Sequence, residues 1–144
     1  MYSTLSSPFG RPRHAANAYR QVGVETGVST GSPHQLVAML FDGYMDALAQ
    51  ARGALQQGQI EAKGHAIGRA VRIIEEGLKA GLDLTGGGTL AADMRDLYDY
   101  VTLRLTQANL RNDVSILVEC QALIEPLRSA WISIGPQVAA GADK

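Results

Sequence analysis

"LYDYVTLRLTQANLRND", residues 97–113, is the stretch on which the fold turns. Leu97, Tyr98, Val101, Leu105 and Ala108 recur at spacings of three and four, which on a helix makes one apolar stripe. Tyr100, Leu103 and Leu110 make a second row. Tyr98 and Tyr100 are two residues apart, so they point roughly 200° apart around a helix axis. One stripe is enough to seat a surface helix on its core. The second row therefore faces a thick core, a second copy of the chain, or a partner.

The rest of the chain bounds what that partner can be. The 144 residues suit one domain. With 46% hydrophobic and 19% charged residues the composition is that of a folded domain, and with only 6% aromatics its core must rest on aliphatic side chains. A net charge of −1 argues against nucleic acid or an anionic membrane surface as a general partner. Cys120 is the one cysteine, so no internal disulfide forms, which suits a reducing compartment. The start, "MYSTLSSPFGRPRH", has no secretory apolar run, and no stretch approaches the roughly 20 apolar residues of a membrane span. The expectation is a cytoplasmic protein that does not insert into membranes.

Working outward, four helices are expected. In "SPHQLVAML", Ser32 is placed to cap, Pro33 suits the first helical position and Gln35 completes a capping box. Leu36, Val37, Leu40, Phe41, Tyr44, Leu48, Ala51 and Leu55 follow in register until Gly58. A second helix is expected over 60–84, with Ile60, Ile67, Val71, Ile74, Leu78 and Leu82 inward and His65, Arg69, Arg72, Glu76, Lys79 and Asp83 outward. It carries Gly64, Gly68, Gly77 and Gly81, each costing up to about 1 kcal/mol against Ala, so tertiary packing must hold it. The third is expected over 89–110, capped by Thr89 with Asp93 and Asp96 near its positive end. The fourth, over 113–134, aligns Leu117, Cys120, Ile124, Leu127, Trp131 and Ile134 and stops at Gly135-Pro136. Short loops between long helices imply an all-α, antiparallel four-helix bundle over 32–135. Residues 1–31 read as a flexible, mildly basic arm with one short helix near 14–22, and 136–144 as a disordered tail.

Catalytic and metal signatures are missing from the pattern. No Glu is followed three residues later by His, and His14, His34 and His65 are scattered, so no metal or cofactor is expected. Cys120 lies on an apolar stripe and reads as a structural thiol. "TGGG" at 85–88 has no lysine of a phosphate loop. His65, in "GHAIGRA", is the one competitor: an exposed histidine on a bundle helix also suits a phosphotransfer module. A structural, homodimeric bundle is the other alternative.

The ordered set "TGSPHQLVAMLFDGYMDAL" (30–48), "AVRIIEEGLKAGLD" (70–83), "LYDYVTLRLTQANLRND" (97–113) and "EPLRSAW" (125–131) resembles the flagellin-specific export chaperones of the FliS family. That resemblance implies a non-enzymatic cytoplasmic bundle that binds the disordered C-terminal segment of flagellin, blocks its premature polymerisation and aids its delivery to the flagellar type III export gate. It also implies that the arm around Tyr19 and Val22 covers part of the binding groove. Apolar grooves between helices take amphipathic segments. The apolar faces of the first helix (Leu36, Met39, Met45) and the fourth (Ile116, Leu123) are wide enough to border one. The candidate flagellin-binding residues are then Tyr19, Val22, Tyr100, Leu103, Leu110, Ile116 and Leu123. The free protein is expected to be a monomer or weak homodimer.

Overall fold

The computed structural model describes residues 32–135, and the expectations for the arm at 1–31 and the tail at 136–144 lie outside the described residues. Among the described residues there are four helical segments and no strand. Helix α1 spans Pro33–Gln56. Helix α2 begins at Ile60–Arg72 and continues as a wider, π-helical stretch over Ile73–Lys79. Helix α3 spans Gly88–Arg111 and α4 spans Val114–Ser133. Each helix packs on its sequence neighbours, and α4 closes the ring on α1. Pairings run opposite in direction throughout: His34 meets Trp131 and Arg52 meets Gln121 across α1 and α4, while Lys63 meets Asn109 and Lys79 meets Asp99 across α2 and α3. The bundle is antiparallel, as the short loops imply.

Local chemistry sets most of the ends. Ser32 accepts from the Gln35 amide, and the Gln35 side chain accepts from the Ser32 amide, so the capping box is complete. Gly58, at φ +72°, takes the left-handed conformation that closes α1. Asn112 does the same after α3 at φ 51°, a role Asn tolerates better than most residues. Asp113 then caps α4 by accepting from the Ser115 amide at 2.9 Å.

Two ends differ from expectation. Helix α2 stops at Lys79 rather than near 84. Ile73, Ile74, Gly77 and Leu78 of the π-helical stretch are all buried, and the chain turns at Ala80–Gly81. Helix α3 starts one residue early, at Gly88, with no side-chain cap from Thr89 and no acid in its first turn. The preceding loop is held instead by Asp83, whose carboxylate accepts from the Gly86 amide at 2.8 Å and whose carbonyl accepts from the Gly87 amide at 2.7 Å.

The core is a column of Leu36, Val37, Leu40, Phe41, Tyr44 and Leu48 from α1 against the inward residues of the other three helices. Ile60, expected in that column, is exposed at the first turn of α2, and Val71 is only half-buried. The Tyr44 hydroxyl donates to the Cys120 carbonyl at 3.0 Å, tying α1 to α4 in the core, and burial raises its pKa. Burial, with a smaller contribution from the Glu119 charge, pushes the Cys120 thiol up to about 12. A thiol so far from its thiolate is a packing element, not a nucleophile. At one end of the bundle His34 stacks on Trp131 with ring centroids 4.9 Å apart. The His34 Nε2 donates to the Trp131 carbonyl at 2.9 Å and the Trp131 indole donates to the His34 carbonyl at 3.0 Å. This reciprocal pair fastens the start of α1 to the end of α4.

The α3–α4 face as candidate binding site

Helices α3 and α4 form a hairpin about Asn112-Asp113, and Arg104 and Tyr100 of α3 both reach Glu119 of α4. The Arg104 guanidinium donates through Nε at 2.9 Å and through Nη2 at 2.8 Å to one oxygen of Glu119. The Tyr100 hydroxyl donates to the other oxygen at 2.6 Å. One carboxylate on α4 thus holds two side chains of α3. The Arg104 contact, and then the Tyr100 hydroxyl, hold the Glu119 carboxyl below the usual range, while the same bond to Glu119 raises the Tyr100 pKa.

Because its folded pKa is depressed, Glu119 contributes stability that is present above the ordinary carboxyl range and is lost as pH falls through the folded value. The expected outcome is a melting-temperature gap between wild type and Glu119→Gln at pH about 7 that closes once the pH drops well below about 4. Parallel thermal melts across that range check it; a gap that persists in acid would assign the effect to something other than ionisation.

Around this polar strap the second row of α3 stands open. Tyr100 is 44% exposed, Leu103 54% and Leu110 79%, while Tyr98, Val101, Leu105 and Ala108 are sealed in the core. The two tyrosines two residues apart do face opposite ways. Leu123 is half-buried, packed against the core beside the seam. Ile116 is 3% exposed and belongs to the core cluster, so it is a wall residue behind the seam and not an open contact. The reason is that Ile116 packs into the same core cluster as Leu117 and Cys120 of its own helix. Tyr19 and Val22 lie outside the described residues. The structure thus leaves Tyr100, Leu103 and Leu110 open on α3 and ties Tyr100 to Glu119 of α4, while Leu123 packs against the core. Sequence reasoning passed over Val118, exposed on α4, and the Arg104–Glu119 pair. Their opposite charges on either side of the short Asn112-Asp113 turn were the signal that could have found the pair.

No group of three or more His, Cys, Asp or Glu side chains among the described residues is placed to hold a metal. None of the helices described is long and apolar enough to cross a membrane. The surface offers shape and apolar area, with charge confined to the strap.

Residues 15–138 match the family described as Flagellar protein FliS. The chain is 50% identical over 120 residues to the flagellar secretion chaperone FliS of Salmonella typhimurium, covering 83% of this chain and 89% of that protein. It is 44% identical over 120 residues to the flagellar secretion chaperone FliSB of Pseudomonas aeruginosa, covering 83% and 94% respectively. It is 32% identical over 114 residues to FliS of Bacillus subtilis, covering 79% and 80%. These relatives are chaperones, not enzymes, and the phosphotransfer reading of His65 gives way to theirs. On a family match spanning most of its length, and on relatives aligned nearly end to end, the chain belongs to the FliS family of flagellar secretion chaperones.

Proposed function

We propose that the chain binds the C-terminal segment of flagellin in the bacterial cytoplasm, keeps it from polymerising early and helps hand it to the flagellar type III export gate. The observation that carries this reading is the open apolar row of α3, Tyr100, Leu103 and Leu110. A bundle that needed only to fold would have no use for that row. A client segment that is unstructured on its own has the complementary need: an apolar face to fold against, by residues at i, i+3, i+4 and i+7. The arm around Tyr19 and Val22 fits the same reading as a cover that leaves when the client arrives.

Calorimetry with a synthetic flagellin C-terminal peptide tests this. Wild type should bind with a negative heat-capacity change, the sign of apolar burial. Tyr100→Ala should weaken binding by more than about 1 kcal/mol, since aromatic anchors carry much of such energy. Leu103→Ser should weaken it in the same direction. Normal binding by both variants would move the client site off this face, and no binding by wild type would remove flagellin as the client.

A further inference from the structure

In the open row of α3, Tyr100 is the side chain whose far end is tied down. Its hydroxyl donates to the Glu119 Oε2 at 2.6 Å, a length typical of a hydrogen bond to a charged oxygen. Glu119 is kept from turning away, because Arg104 holds its other oxygen, Oε1, through Nε and Nη2. Arg104 is braced in turn by Gln107, about one helical turn further along α3, whose side-chain oxygen accepts from Nη1. The chain Gln107–Arg104–Glu119–Tyr100 therefore starts and ends on α3 and turns on a single carboxylate of α4. Leu103 and Leu110, in the same row, have no polar atom by which to be held.

Arg104 and Glu119 are half-buried, so salt screens their pairing less than it would a fully exposed pair, while Tyr100, which they hold, stays exposed. An exposed tyrosine on a helix has two χ1 rotamers open to it. With its Cα on α3 and its hydroxyl fastened to α4, the ring keeps one. It is then set in place before anything binds. A side chain that is already immobile loses less conformational freedom on binding. The hydroxyl proton is engaged as well, so the group left on offer is the ring.

We propose that Glu119, braced by Arg104, is a positioning residue for the binding face: it fixes the Tyr100 ring in advance and engages the hydroxyl proton, so that Tyr100 meets the client as an apolar platform and donates nothing to it. This rests on the reading of the open α3 row as the flagellin-binding face. Glu119 itself needs no contact with the client. The tie also gives the reason for a tyrosine where phenylalanine would supply the same apolar area: the hydroxyl is the handle by which α4 sets the ring.

The test uses the full chain and the synthetic flagellin C-terminal peptide, with Tyr100→Phe, Glu119→Ala and the double variant measured by calorimetry. Tyr100→Phe keeps the ring and loses the tie. Each single variant should weaken binding roughly three- to tenfold, the cost of ordering one more side chain on association. The double variant should bind no more weakly than either single one, because Glu119 acts through the Tyr100 hydroxyl. Carbon relaxation of the Tyr100 ring in the free protein should report a rigid group in wild type and added fast motion in Glu119→Ala. Thermal melts check folding, and Tyr100→Phe, which removes one oxygen, carries the test if Glu119→Ala unfolds. Losses that add in the double variant would give Glu119 a separate role, in the contact or in the fold, and overturn the proposal. Wild-type affinity in Tyr100→Phe, or a ring equally rigid in Glu119→Ala, would do the same. Tyr100→Ala tells the two readings apart. If it binds weakly while Tyr100→Phe and Glu119→Ala bind as wild type, the face stands and the positioning role falls. If it binds as wild type, Tyr100 is no anchor, and both fall.

Discussion

Tyr98→Ala is expected to cost about 3–5 kcal/mol of stability, the range for removing a large aromatic from a packed core. Tyr98 is fully buried and shares its face with Val101, Leu105 and Ala108, also fully buried. The ring is part of the core cluster, and close-packed interiors collapse only partly around a lost side chain. The stability of a domain this size is itself only about 5–15 kcal/mol, so the variant should be partly unfolded near body temperature. Tyr100→Ala is the internal control. Its ring is 44% exposed and its hydroxyl meets only the solvent-facing Glu119, so its loss should stay near the roughly 1 kcal/mol typical of point mutants. Urea titrations of both variants give the comparison. A larger loss for Tyr100→Ala than for Tyr98→Ala would reverse the assignment of the two faces.

Lys63→Met should be the second large effect, at about 1–3 kcal/mol, the cost of leaving part-buried acceptors at a helix end without their charged donor. Lys63 is 4% exposed, and it is the one buried charged side chain among the described residues. Its ammonium donates to the Asn109 carbonyl at 2.8 Å and to the Asn109 Oδ1 at 2.6 Å. Asn109 lies in the last turn of α3, where the final carbonyls have no helical partner and the dipole is negative. The lysine thus caps α3 from α2 without any carboxylate. Methionine keeps the apolar stem and removes the donors, so the loss measures the cap and not the packing. Calorimetric melts read it; a change within about 0.5 kcal/mol, as at ordinary surface positions, would mean that water replaces the ammonium at no cost.

Much of this architecture is readable from residue order. Ser32 and Gln35 announce the start of α1, Gly58 its end, and Asp113 the start of α4, because caps and left-handed turns are decided within a few residues of backbone. The opposite facing of Tyr98 and Tyr100 is equally local, since helical pitch alone separates them. The family resemblance over the four motifs is legible for the same reason: it is carried by residue identity in order. Lys63 and Ile116 are not readable in that way. In the chain Lys63 sits among polar neighbours and reads as solvated, yet Asn109, 46 residues later, closes over it. Ile116 reads as one edge of a wide apolar face like Leu103, yet packing covers Ile116 and leaves Leu103 open. The π-helical turn at Ile73–Lys79 likewise breaks the regular period, and with it the expected end of α2 at 84.

By itself, then, the sequence determines where helices begin, which way each side chain points from its own axis, and which family the pattern matches. These are properties of short backbone segments and of identity, and they need no neighbour. The tertiary structure alone decides which of two apolar rows is covered, which lysine loses its water, and that Glu119 straps Tyr100 and Arg104. Each of those depends on a group many residues away in the chain, and helical periodicity carries no record of how one axis is set against another.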